Sequence, residues 1–85
     1  MAQKIAYYSI IGAGRDTGNP SGLARRTLAG TDRIDESLRR DLTWGPTTAV
    51  TDWEFGNLPG ELHEIGADEA AALIERFRQR WARQP

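Results

Sequence analysis

The chain has no cysteine, one histidine, one lysine and one methionine among its 85 residues. Without cysteine there are no disulfides, no thiolate metal sites and no cysteine nucleophile. With one imidazole, any histidine chemistry falls on His63. No apolar run approaches the roughly 18 residues that a membrane-spanning helix needs. The N-terminal apolar run is short and is broken by Tyr7, Tyr8 and Ser9, which is not the pattern of a signal peptide. A cytoplasmic protein without membrane contact is expected. An excess of one charge sign is also missing. The 11 basic and 12 acidic residues leave a net charge of -1 and a pI near 5.7. Domains that coat nucleic acid usually have a pI above about 9.

What remains is the composition of one small soluble domain, 39% hydrophobic and 27% charged. In a chain this short, apolar burial and conformational entropy nearly cancel. Three Trp, two Tyr and two Phe supply large buried areas in place of disulfides. Self-association or a protein partner would add stability by mass action. Ten of the 11 basic residues are Arg. Arg suits interfaces because its planar fork pairs with carboxylates and stacks on aromatic rings; an Arg-rich coding habit accounts for the same bias.

The hydrophobic pattern outlines an α+β fold. Residues 4–11 are apolar on both faces, as in a strand with neighbours on each side. A loop rich in Gly, Asn and Pro follows over 12–22, and residues 23–28 read as a second strand. There Arg25 and Thr27 share one face and Arg26 takes the other. Thr31-Asp32 resembles a helix start, and Ile34, Leu38 and Leu42 recur at four-residue spacing, which predicts a short helix over 33–41. Residues 48–55 alternate, with Ala49, Thr51, Trp53 and Phe55 on one face and Val50, Asp52 and Glu54 on the other. That predicts a half-buried strand with its acidic face in water, joined by a turn at 56–60 to a strand at 61–65. From 67 to 83, Ala70, Leu73, Ile74, Phe77 and Trp81 form one helical face. Early Asp68 and Glu69 and late Arg residues complement the helix dipole, and Glu75 and Arg78 are spaced to pair. The expected order is strand, strand, helix, strand, strand, helix. The sheet has about four mostly antiparallel strands, and the C-terminal helix packs on it.

Four groups of residues bear on function. Ile10-Ile11-Gly12-Ala13-Gly14 resembles the opening of a dinucleotide-binding turn, but the third glycine position holds Thr17. The helix that should follow meets Asn19-Pro20-Ser21-Gly22 instead. The segment is a plain loop, and no cofactor is expected. His63 lies between Leu62 and Glu64, and none of Ser9, Ser21 and Ser37 sits in a nucleophile elbow, so no catalytic residue is assigned. Residues 47–66 hold Asp52, Glu54, Glu61 and Glu64 with no Lys or Arg, so they carry -4 against +3 for the rest. No metal-loop spacing accompanies them; they form a solvated face or a patch for a basic partner. Arg76, Arg80 and Arg83 line one strip of the last helix, a solvated face or a weak phosphate contact. Trp44 follows the loop chemistry of Asp41-Leu42-Thr43 and is a core residue, or a binding anchor if exposed.

The segments Asn19-Pro20-Ser21-Gly22-Leu23-Ala24-Arg25-Arg26, Asp41-Leu42-Thr43-Trp44-Gly45-Pro46-Thr47 and Ala67-Asp68-Glu69-Ala70 resemble those of small uncharacterised actinobacterial proteins. The resemblance spans most of the chain and implies no activity. The expected function is a non-enzymatic protein-interaction module: an immunity protein, an antitoxin-like protein or an accessory subunit. Its partner contacts are drawn from Asp52, Glu54, Glu61, Glu64, Arg76, Arg80, Arg83 and Trp44. The alternative is a small enzyme or ligand-binding subunit that completes a site around His63 by oligomerising. Nucleic-acid binding through the arginines is the weakest option.

Overall fold

A computed structural model of the chain describes residues 3–12, 18, 20–58 and 60–82. Residues 13–17 and 19, which hold most of the 12–22 loop and its glycine motif, lie outside the described residues. So do Pro59 and Arg83, and with them one of the expected partner contacts.

The fold is α+β. In chain order it runs β1 (Lys4–Ile11), β2 (Gly22–Ala29), β3 (Asp32–Leu38), β4 (Trp44–Pro46), α1 (Ala49–Glu54), β5 (Glu61–Ile65) and α2 (Ala67–Ala82). The five strands form one antiparallel sheet in the order β4-β3-β2-β1-β5. β1 to β4 make a meander. The chain then crosses one face through α1, adds β5 beside β1, and returns across the other face as α2.

The sheet is buried on both sides, and β2 shows why. Leu23 and Ala24 are adjacent, so they point to opposite faces, and both are fully buried. Leu23 joins Leu38, Ala70, Leu73 and Phe77 in the core beneath α2, with Tyr7, Trp44, Ile65, Ile74 and Trp81 packed around it. Ala24 joins Val50 and Leu62 in a smaller core beneath α1, flanked by Tyr8, Ile10 and Leu58. α2 follows the expected apolar stripe, and Phe77 stacks flat on Trp81 at 4.6 Å. The expected Glu75–Arg78 pair forms at 3.2 Å.

Two expected elements are replaced. The segment expected to be a helix over 33–41 is instead strand β3. Ala29 pairs with Asp32, so Gly30 and Thr31 make a two-residue hairpin turn, with Gly30 at φ +63°. Glycine accepts that positive φ without penalty, and such turns match the twist of the strands. Thr31-Asp32 is therefore the end of a turn rather than a helix cap.

The expected strand over 48–55 is helix α1, while β3 and β4 are two strands that were not expected, so the sheet has five strands in all. Thr48 opens the helix. Its hydroxyl donates to the Asp52 carboxylate at 2.9 Å, and the Ala49 amide donates to Thr47 Oγ1 at 3.2 Å. At the other end the Gly56 amide donates to the Trp53 carbonyl at 3.0 Å and the Asn57 amide to the Asp52 carbonyl at 2.7 Å. With Gly56 at φ +75°, this is the Schellman closure of a helix. Gly60 then brings the chain hard against β1: a Cβ there would overlap the Ile11 carbonyl oxygen.

Candidate functional site

The faces of the sheet decide where each candidate residue goes. On the α1 side, Arg26 of β2 stands opposite Asp35 of β3. Its Nε and Nη2 donate to the two Asp35 oxygens at 2.8 and 3.1 Å. Its Nη1 and Nη2 donate to Glu54 of α1 at 3.0 and 3.1 Å. One guanidinium thus grips two carboxylates in forked fashion, a geometry that Arg alone supplies. These hydrogen bonds hold the Arg26 pKa above its ordinary value and hold the Asp35 and Glu54 carboxyls below theirs. Thr51 Oγ1 approaches Asp35 at 3.5 Å, and Trp53 leans on Tyr8 with ring centres 6.1 Å apart. Burial raises the Tyr8 phenol, and the nearby Glu64 carboxylate raises it further.

α1 is therefore held by Val50 below, by Glu54 on Arg26 and by Trp53 against Tyr8. It places two aromatics at the surface: Trp53 is 41% exposed and Phe55 is 75% exposed. Phe55 is the C-cap residue, fixed between the last turn and the Gly56 closure. The alternation over 48–55 was expected to bury Trp53 and Phe55; the helix turns them outward and buries Val50 instead.

On the α2 side, Arg25 lies over Trp44 at 4.1 Å and pairs with Glu36 at 3.0 Å. Tyr7 flanks the same indole at 6.5 Å. Trp44 is half-buried against the main core, so it acts as a packing residue. Farther along this face Ile5 pairs with Thr27, and Thr27 with Ile34. Ile5 and Ile34 stay exposed because α2 covers only one end of the sheet.

The four acids do not share one hairpin face, as the strand reading implied. Asp52 and Glu54 lie on α1. Glu61 and His63 are on the α2 face of β5, with His63 Nε2 3.1 Å from Glu61, while Glu64 is on the α1 face opposite Tyr8. Arg25 and Arg26 are taken up by carboxylates. On α2, Arg76 donates to the Gly18 carbonyl at 3.1 Å, and Arg80 lies 5.5 Å from the Phe77 ring centre. Arg83, the third residue of the expected arginine strip, lies outside the described residues. Among the described residues no three His, Asp or Glu side chains converge on a metal position, and no helix is long and apolar enough to cross a membrane.

No family model, curated protein or solved structure gives a match to this chain.

Proposed function

We propose that the chain is a non-enzymatic protein-interaction module, of the immunity, antitoxin-like or accessory-subunit kind, that binds its partner through the Trp53–Phe55 tip of α1. The observation that carries this reading is the 75% exposure of Phe55 on a helix end closed by hydrogen bonds. An exposed aromatic on a mobile loop loses conformational freedom when it is buried by a partner. One held on a stapled helix loses little, which is how binding anchors are built. Asp52 beside it and Glu64 on the same face of the sheet favour a partner whose receiving pocket has a basic rim.

The test is capture of partners from the native host on immobilised wild-type chain, Phe55→Ala and Trp53→Ala, followed by calorimetry with the captured protein. Truncating a central aromatic anchor should weaken binding by about 30-fold or more, the size of a hot spot. Thermal unfolding of Phe55→Ala should stay close to wild type, whereas Trp53→Ala also loses the contact with Tyr8 and should melt somewhat lower while remaining folded. If the Phe55→Ala and Trp53→Ala chains capture the same partners with unchanged affinity, the tip is not the binding surface.

A further inference from the structure

Where α2 passes over Ser9, helix and sheet leave a cavity of about 180 Å³. At roughly 30 Å³ per water molecule, this is space for a ligand of about six to eight non-hydrogen atoms. Ile65, Ala72 and Leu73 make its apolar lining, and Pro20 closes one side. Its polar groups are of three different kinds. Glu69 and Arg76, both lining residues, are seven positions apart on α2. They share one helix face about 10 Å apart along the axis, with Ala72 and Leu73 between them. Ser9 is the third. It is 6% exposed, the β1 register turns it toward α2, and it lines the cavity. Its hydroxyl can serve a ligand there as both donor and acceptor.

We infer that this cavity binds a small ω-amino carboxylate, with its ammonium at Glu69, its carboxylate at Arg76 and Ser9, and its methylene chain along Ala72 and Leu73. The separation of the two charges selects this class. An α-amino acid holds its two charged groups on a single carbon and cannot reach both ends. Arg76 is already oriented to receive a carboxylate. Its Nη2 donates to the Gly18 carbonyl at 3.1 Å, which fixes the side chain and leaves other guanidinium donors for the ligand. The site lies on the α2 side of the sheet and does not involve the α1 tip, so it stands or falls apart from the partner-binding reading.

The test is an amide-shift titration of the full chain at neutral pH with 4-aminobutyrate, 5-aminopentanoate, pentanoate, pentylamine and leucine. One of the two ω-amino acids should saturate in the millimolar range and move the Ser9, Ile65, Ala72 and Leu73 amides. Pentanoate, pentylamine and leucine should each bind about tenfold more weakly, the size of one lost charge-assisted hydrogen bond. Arg76→Gln and Glu69→Gln should each weaken the ω-amino acid by about the same factor, and Ser9→Ala by less. The spectra of the unliganded variants report whether each remains folded. Absence of saturation by either ω-amino acid overturns the inference. So does binding that Arg76→Gln leaves unchanged, or leucine binding as tightly as the ω-amino acids.

Discussion

Arg26 and Asp35 face each other across β2 and β3 and close a two-bond fork at 2.8 and 3.1 Å, with side chains only 11% and 10% exposed. Removing one member strands the other in a poorly solvated place. Arg26→Met should therefore cost about 3 kcal/mol in urea unfolding. Replacing both, Arg26→Met with Asp35→Leu, should recover most of that loss, because a matched apolar pair leaves no buried charge. Glu54→Gln should have a much smaller effect, since Glu54 is solvated and Asp35 keeps its partner. A double-variant chain no more stable than Arg26→Met alone would show that the pair contributes more than mutual neutralisation.

The same network sets the response to acid. The hydrogen bonds from Arg26 hold the Asp35 carboxyl below its ordinary value. Its folded pKa is thus lower than its unfolded one, near 3.9. The stabilisation is complete above about pH 4 and is lost as pH falls through the lowered folded value. The urea midpoint of wild type should fall steeply below about pH 4, and that of Asp35→Asn less steeply. Tyr8 has the opposite sign. Its phenol is raised by burial and then by Glu64, so its contribution is present below about pH 10 and is lost as pH rises through the folded value. Absorbance of the phenolate on alkaline titration should show Tyr8 ionising late, and earlier in Glu64→Gln.

Two glycines should respond in opposite ways to alanine. At Gly60 the new Cβ meets the Ile11 carbonyl, which is backbone and cannot swing aside. Gly60→Ala should cost about 1–3 kcal/mol, as for an overpacked site. At Gly66 a Cβ meets nothing within 4 Å, and φ is not positive. Gly66→Ala should be neutral, or should stabilise by about 0.5 kcal/mol through the unfolded chain. Denaturant midpoints of the two variants should therefore move apart.

The outer elements were legible in the sequence, and the middle of the chain was not. β1, β2, β5 and α2 stand where their apolar periods put them. Ile34 and Leu38 misled because a spacing of four suits both a helix and one face of a strand. The deciding signal was symmetry about Gly30 and Thr31: Arg25 and Arg26 before the turn mirror Asp35 and Glu36 after it, and those residues pair in register. In α1 the alternation of seven residues was a coincidence of composition, and Gly56-Asn57 marked a helix end rather than a hairpin. The Trp53–Phe55 tip was missed for a related reason. Aromatic residues are assigned inward by default, and only the helical geometry shows that Val50 takes the inward position.

That division of labour within α1 is open to measurement. Val50→Ala should destabilise the chain by about 1–2 kcal/mol, because it empties a fully buried site. Phe55→Ser should change stability by no more than about 0.5 kcal/mol, as expected of an exposed position. Thermal melts of the two variants decide it; a large loss from Phe55→Ser would mean that the aromatic packs on its own chain.

The strand order has a consequence for how the chain reaches its fold. The β2–β3 hairpin is closed by two residues and is charge-matched, so it can form from neighbouring sequence alone. The other edge is different, because Ile11 and Glu61 are partners fifty positions apart, a long loop to close before any contact rewards it. Leu23 and Leu38 likewise wait for Leu73 and Phe77 to cover them. On a ribosome the early hairpin would therefore sit with one face bare until α2 emerges. The meander thus depends on the last quarter of the chain for its cover, and shortening α2 should leave an aggregation-prone meander rather than a smaller folded protein.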